Sequence, residues 1–433
     1  MTNFAIFGMR RRRASLRVEM AIEPRAVRRA YRAWVKTPSL ITDSAALAEF
    51  CSSLRGAPYI AVDTEFLRER TYYARLCLIQ IAHGEHAAAI DPLAKEIDLA
   101  PLGVLMRDPS ILKVFHSASQ DLEIFLHAMG TLPAPIFDTQ VAAAVCGLGD
   151  FVGYASLVSS LLDIEVDKAS QATDWSLRPL SARQLEYALG DVVHLCDVYE
   201  KLAAQLTEKG RGEWVQEEMA ALVDERRYRI EPSEAWRRLK IRGPSRRSLA
   251  LLRDLAAWRE ETAIRRDLPR PWVLHDEALV EIAQNVPRDL EALARVRMIK
   301  APTARGADGQ AILDIVRRTL AEPPESWPEL PPRKGAIDAI EPLVVLLQAL
   351  LRLRCDAEGV APRIVASHGD LEAIALGKTP EGPALTGWRR ELFGDHALAL
   401  CAGRVALTGG PGGTVSMTDV ARESPGDSLP SPR

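Results

Sequence analysis

The chain has 433 residues, 47% of them hydrophobic and 26% charged, with a net charge of -3. That length exceeds one ordinary domain and predicts roughly two or three, and the composition is globular, which excludes a disordered or fibrous protein. No apolar run is long enough to span a bilayer, so no membrane partner is expected.

The six cysteines stand singly, without a CxxC pair. This argues against a zinc ribbon or a disulfide framework and predicts buried thiols in a reducing, cytoplasmic compartment. The first 38 residues carry Arg10-Arg11-Arg12-Arg13 and Arg28-Arg29 but no long apolar core. They predict a basic, poorly ordered extension, with a transit peptide as the alternative and Met9 or Met20 as other possible starts.

From Ile41 to about Gln205 the pattern is α/β. Ser44–Phe50 predicts a helix. Three strand-length apolar runs follow, Tyr59–Phe66, Leu76–Ala82 and Ala87–Ile90, with turn residues such as His83-Gly84-Glu85 between them, which predicts an antiparallel meander. Leu112–His116 predicts a fourth strand running into a helix over Asp121–Met129. Asp138-Thr139 is a helix start, with Asp138 as its cap, and Tyr154–Leu162 is a further helix. The strongest helical pattern is Ser181–Leu206, which opens on the capping-box spacing Ser181-x-x-Gln184.

Beyond Arg227 the strand signals nearly vanish. Helical patterns occupy Leu249–Arg259, Asp276–Gln284, Leu290–Arg295, Ile337–Leu351 and Asp370–Leu376, broken by Pro323-Pro324 and Pro331-Pro332. The predicted organisation is an extension (1–38), an α/β domain (39–210), a linker (211–243), two small all-α domains (244–326 and 327–407) and a flexible tail (408–433). The cluster Thr408-Gly-Gly-Pro-Gly-Gly413 lacks the Gly-Lys-Ser/Thr ending of a phosphate loop and predicts a flexible loop.

The chemistry lies in five positions. In Tyr59-Ile-Ala-Val-Asp63-Thr-Glu65-Phe66 a strand turns from apolar to charged at its end, and residues two apart on a strand face one way. Two carboxylates held that close require a cation between them, and hard divalent metals suit oxygen ligands. Asp121 opens a helix, where an Asp is also favoured by the helix dipole. Tyr187 and Asp191 stand one turn apart on a single helix face. Together Asp63, Glu65, Asp121 and Asp191 are enough to hold two divalent ions, Mg²⁺ or Mn²⁺, with Tyr187 placed to hold an attacking water.

The Asp-Thr-Glu-Phe strand end, His116-Ser-Ala-Ser-Gln-Asp121 and Tyr187-x-x-x-Asp191 resemble the three motifs of the DEDD exonuclease superfamily in its tyrosine-bearing branch, nearest to ribonuclease D. Leu76-Cys-Leu-Ile-Gln80-Ile-Ala and Asp174-Trp175-Ser-Leu-Arg178-Pro-Leu-Ser181 extend the likeness. The helical region resembles the helicase-and-RNase-D C-terminal (HRDC) module, present twice. The resemblance implies an RNase H-like mixed sheet flanked by helices, followed by two HRDC-like domains. It also implies a monomeric 3′→5′ exoribonuclease that releases nucleoside 5′-monophosphates, with tRNA precursors and other structured RNAs bearing single-stranded 3′ ends as substrates. Asp63, Glu65, Asp121 and Asp191 would be the metal ligands and Tyr187 would position the water; none of these positions is missing.

Substrate contacts leave more than one reading. Phe66 stacks on a terminal base or belongs to the core. Gln80 reaches the sugar or is a satisfied buried amide. His116 is a strand-end polar residue, since hard metals prefer oxygen. Arg237 to Pro271 holds eleven Lys/Arg against four acids, and this stretch, with Arg246, Arg247 and Trp258, is expected to contact single-stranded RNA, although its Trp residues also suit a helical core. A 3′→5′ DNA exonuclease and a non-catalytic nucleic-acid-binding scaffold are the alternatives.

Overall fold

The computed structural model describes residues 40–167, 173–330, 334–377 and 382–420, with the side chains of 334–338 left aside. The basic N-terminal extension and residues 421–433 of the expected tail lie outside the described residues.

The α/β region forms a six-stranded sheet in the order β1-β4-β3-β2-β5-β6, made of β1 (Leu40–Ile41), β2 (Tyr59–Leu67), β3 (Arg75–His83), β4 (His86–Ile90), β5 (Leu112–Phe115) and β6 (Ile136–Asp138). The expected meander is present: β2 pairs antiparallel with β3, and β3 with β4. On the other side β5 runs parallel to β2, but only along Tyr59–Ala61. The half of β2 that carries Asp63 and Glu65 therefore projects beyond its parallel neighbour. A crevice outside the carboxyl ends of parallel strands is where open α/β sheets take their ligands. Ile60, Val62, Leu78, Ile79 and Ile81 are fully buried in the sheet.

The helices follow the sequence pattern closely. Helix α1 (Ser44–Ser53) is capped by Asp43, α3 (Ser119–Met129) follows β5, and α4 (Thr139–Cys146) is capped by Asp138 as expected. Helix α5 spans Tyr154–Leu162, and α6 (Ala182–Lys209) opens with the Ser181/Gln184 capping box complete in both directions. Helix α2 (Ala100–Arg107) and the short strands β1 and β6 are additions; two or three residues carry too little periodicity to announce a strand.

Two stretches differ from expectation. The expected linker holds helix α7 (Gly212–Leu222) and two 3₁₀ turns, Glu225–Arg227 and Pro232–Arg238. Val215, Met219 and Leu222 bury one face of α7 on the core of the sheet domain, so apolar burial overrides the linker-like punctuation. The beginning of the expected tail is a hairpin, β7 (Val405–Gly409) with β8 (Val415–Asp419). Its glycines serve the turn, where Gly412 and Gly413 take φ of 74° and 79°.

The helical region divides in its packing. Helices α8 (Arg246–Arg266), α9 (Arg270–Val273), α10 (Asp276–Asn285), α11 (Leu290–Ala294), α12 (Ala301–Arg305) and α13 (Ala307–Ala321) surround a core of their own, including Leu252, Leu255, Leu279, Ile282 and Ile312. Residues beyond 334 instead share the core of the sheet domain, through Val344, Leu347, Leu350, Cys355 and Phe393. Arg211 joins the two, donating to Val145 O at 2.9 Å and Gly359 O at 3.2 Å, and Trp214 stacks on Trp388 at 4.6 Å. The α8–α13 unit meets the sheet domain at the β2–β3 hairpin. Tyr72 there donates to the buried Glu260, whose carboxylate also accepts from Arg270 at 2.6 and 2.7 Å, while Asp267 accepts from Tyr72 N at 3.0 Å. No helix among the described residues is long and apolar enough to cross a membrane.

Candidate active site

Strand alternation places Asp63 and Glu65 on one side of β2, opposite Gln80 and Leu78 of β3. A register shift after Glu65 leaves Cys77 of β3 as an extra residue, a bulge of the kind that re-aims neighbouring side chains. Helix α6 crosses the sheet with Ala188, Leu189, Asp191, Val192 and Leu195 turned inward, and this brings Asp191 to the strand end. Carboxylate oxygens of Asp63, Glu65 and Asp191 lie within 4.8 Å of one another. Asp121 stands beside this triplet, 6% exposed in the first turn of α3, and accepts from Thr64 Oγ1 at 2.5 Å. All four carboxylates and Tyr187 line one cleft of about 690 Å³.

The turn that delivers Asp121 is held by Asp138. Ser117 adopts φ of 61°, a left-handed conformation uncommon for a residue with a Cβ. Asp138 accepts from Ser117 N at 3.0 Å and Ala118 N at 2.8 Å while capping α4 through Gln140 N. It is a capping residue, as expected, and also fixes the loop between β5 and α3.

The carboxylates of the cleft lack a basic partner among the described residues: Arg68, which also lines the cleft, pairs with Glu123 at 2.5 Å. Burial, followed by the charges of Asp63, Asp191 and Asp121, pushes Glu65 up to about 9. Burial raises Asp63 to about 6 against a hydrogen bond from Thr64 N. Asp121 and Asp191 are raised well above the carboxylate range, first by burial and then by Asp63. The Tyr187 phenol is raised first by burial and then by the charges of Asp191, Glu65 and Asp63. Among the described residues no lysine or arginine contributes to any of these shifts. An all-oxygen donor set without a compensating cation fits hard divalent metals.

Raised carboxylate pKa values mean that the folded chain binds protons more tightly than the unfolded one, so stability falls as pH rises. Metal-free protein is expected to lose thermal stability progressively from about pH 4, the ordinary carboxylate value, through about 6 for Asp63 to about 9 for Glu65. At pH 8, Mg²⁺ at about 100 times its Kd should restore about 2.7 kcal/mol, a rise in Tm of roughly 5–10 °C. Calorimetry across pH, with Mg²⁺ and with EDTA, checks this; a metal-free Tm that climbs with pH, or ignores Mg²⁺, contradicts it.

The expected substrate contacts separate. Phe66 is half-buried and lines the cleft beside Glu65. Gln80 does not line the cleft: it is fully buried, and its amide has no hydrogen-bond partner among the described residues. Arg246 donates to the carbonyls of Glu325, Trp327 and Pro328, at 3.3, 2.7 and 3.4 Å, so its guanidinium is committed to closing the end of the helical unit. Trp258 packs between two apolar clusters and borders a hollow lined by Asp254, Glu261 and Asp314, a poor setting for phosphate. In the basic stretch Arg237, Arg253, Arg259, Arg266 and Arg270 pair with acids. Arg247 is exposed. Five of the eleven basic residues of that stretch are thus paired with acids, which reduces the positive charge it can offer.

Several cleft residues were not assigned from sequence. Tyr154 donates its hydroxyl to Asp191 O and meets the His116 ring edge-on at 5.4 Å. His116 Nδ1 lies 3.0 Å from Thr139 Oγ1. Trp175 lies beside Tyr187, with ring centroids 6.1 Å apart. The run Asp174-Trp175-x-x-Arg178 was the available signal for the last of these.

Comparison with known proteins identifies relatives of both parts of the chain. The family described as 3′-5′ exonuclease matches residues 38–207, and the HRDC domain family matches residues 248–316. A protein of Acidiphilium cryptum (strain JF-5) named ribonuclease D is 48% identical over 370 residues, covering 86% of this chain and 94% of the relative. A ribonuclease D of Granulibacter bethesdensis is 47% identical over 372 residues, covering 86% and 94%. Among solved structures, Escherichia coli RNase D, described as an exoribonuclease involved in structured RNA processing, matches with a TM-score of 0.74 and 33% identity over 85% of this chain and 99% of that one.

Proposed function

The chain belongs to the ribonuclease D family of 3′→5′ exoribonucleases, and from that premise we propose that it trims the 3′ ends of structured RNAs, tRNA precursors among them, by a two-metal-ion mechanism. The observation that carries this reading is the convergence of Asp63, Glu65 and Asp191 within 4.8 Å, with Asp121 and Tyr187 in the same cleft.

Asp63, Glu65, Asp121 and Asp191 would hold two divalent ions, Mg²⁺ or Mn²⁺. Bound there, the ions supply Lewis acidity and charge neutralisation at the scissile phosphate. Tyr187, one turn before Asp191 on α6, orients the attacking water, whose oxygen bonds to phosphorus as the bond to the 3′ oxygen breaks. That oxygen takes a proton, leaving a new 3′ hydroxyl and a free nucleoside 5′-monophosphate. Thr64 holds Asp121 and Tyr154 holds the Asp191 backbone, so the carboxylates are oriented before substrate arrives. Phe66 offers its ring to the terminal base, and a stacking contact suits an enzyme that removes every base in turn. The exposed Arg247 contacts RNA phosphates farther from the cleft. One chain supplies all five site residues, which supports action as a monomer, and an RNA substrate supports a cytoplasmic location.

The test is digestion of 5′-labelled RNA and matched DNA with Mg²⁺, Mn²⁺ or EDTA, followed by sequencing of the shortened 3′ ends. A one-nucleotide ladder from RNA that vanishes in EDTA is expected, with DNA cut more slowly. RNA binding without metal-dependent release would reject the mechanism, and faster digestion of DNA would reject the substrate.

A further inference from the structure

We propose that Arg68 is a substrate-binding residue whose guanidinium takes the RNA phosphate next upstream of the scissile one; this rests on the nuclease reading of the cleft. Among the described residues Arg68 is the one lysine or arginine that lines the cleft, and its side chain is 39% exposed. It follows β2 directly, three residues beyond Glu65, a span of roughly 10 Å in extended chain. Glu123 of α3 accepts from one terminal nitrogen of its guanidinium at 2.5 Å. Gln120 lies three residues before Glu123, hence on the same face of α3, and it lines the cleft. The held guanidinium therefore sits at the cleft's edge. The loop from Arg68 to β3 is fastened beyond that pair as well. Tyr73 stacks on His127, one turn past Glu123, with ring centroids 3.8 Å apart, and Tyr72 N donates to Asp267 of the α8–α13 unit at 3.0 Å.

A guanidinium offers five N–H donors and no acceptor. Glu123 engages one nitrogen, Arg68 has no second partner among the described residues, and an ion pair this exposed is weak. The remaining donors suit an anion that can take the fork bidentately, which a phosphate does. Base edges differ from step to step, so a fixed donor to them would stall on some sequences, and ribose hydroxyls carry no charge. The scissile phosphate is served by the ions that the four carboxylates would hold, and Arg68 does not compensate those carboxylates. The next phosphate upstream is constant, anionic and beyond that metal group. Arg68, at the edge, is the cation of the cleft left to meet it.

The probes are the ribonucleotides ApA, whose one phosphate is the scissile one, and ApApA, which adds one phosphate upstream. Initial rates with MgCl₂ give kcat/KM for each. The ratio of ApApA to ApA is expected to fall about ten- to hundredfold in Arg68→Met, chiefly through a higher KM on ApApA, with an unchanged Tm. ApApA carrying a neutral methylphosphonate at the upstream linkage should cost wild type a similar factor and cost Arg68→Met nothing further, because both changes remove the same contact. If Arg68→Met does not fold, Arg68→Gln takes its place in each comparison. Wild-type hydrolysis of both probes together with an unaltered ratio in the variant overturns this inference alone. So do losses from the methylphosphonate and from the variant that simply multiply. Absence of Mg²⁺-dependent hydrolysis by wild type on ApA, ApApA and longer RNA overturns the nuclease reading with it.

Discussion

Asp63→Asn is expected to abolish nucleotide release while making the metal-free protein more stable, and the two effects share one cause. Asp63 contributes to the raised state of Glu65, Asp121 and Asp191, so it is the charge that every other carboxylate in the cleft opposes. In the proposed mechanism its replacement would remove a metal ligand, and several kcal/mol of transition-state stabilisation lost there corresponds to at least about 10³-fold in rate. The same change relieves the cost of ionising a group whose pKa is pushed up to about 6. At pH 8 this should add roughly 1–3 kcal/mol to metal-free stability and raise Tm by several degrees. It should also blunt the stabilisation by Mg²⁺. Calorimetry with and without Mg²⁺, alongside release of mononucleotides from RNA, separates the outcomes. Retained activity would sink the metal mechanism, and a lowered metal-free Tm would assign Asp63 to the fold instead.

The convergence of these residues was legible because they sit where local rules are strong. A strand end with period-two carboxylates, a helix start and an i, i+4 pair on a capped helix can each be placed from neighbouring residues alone. Asp138 was placed by the same logic, as an N-cap. Gln80 follows the buried-amide reading in its depth but not in its hydrogen bonding, because strand alternation gives a side and not the partners found there. Arg246 and the paired arginines escaped for a related reason. Charge along a sequence does not show which acid folds back upon it, and Arg266 finds Asp308, forty-two residues on.

The fold was legible in its long elements and obscure in its short ones. The meander, α5 and α6 followed from periodicity, whereas β1 and β6 depend on pairing partners that no local window contains, and the hairpin Val405–Asp419 was hidden by the glycine cluster at its turn. Pro232 and the Arg242-Gly243-Pro244 run are loop signals, yet the stretch before them is anchored by Val215 and Met219 in the sheet-domain core. Tertiary burial decided there. It also decided that the chain beyond residue 334 shares that core while α8–α13 keeps its own, a distinction invisible in two similar-looking helical segments.

Arg178→Met is expected to cost about 3–5 kcal/mol, because it strands a buried carboxylate. Asp91 has a side chain only 6% exposed and meets Arg178 at 2.6 Å. Burial alone would raise its pKa; the Arg178 hydrogen bonds, one from Leu93 N and the charge of Arg178 outweigh this and lower it. A carboxylate depressed in the folded state lends stability above its unfolded pKa and loses it as pH falls. The gap between wild type and Arg178→Met should therefore hold at roughly 10 °C in Tm above about pH 4 and narrow below it. Adding Asp91→Asn should recover part of the loss at neutral pH, since it removes the uncompensated charge. Arg178→Lys should recover little, because one ammonium cannot reproduce the fork that also reaches Cys77 O, Trp175 O and Leu177 O. Activity should fall further than stability explains in all of these variants, since the same guanidinium holds the loop that presents Trp175 beside Tyr187. Denaturation midpoints across pH, read beside kcat/KM, test both parts: a pH-independent gap would rule out Asp91 as the origin, and full activity in a folded Arg178→Met would uncouple the loop from the cleft.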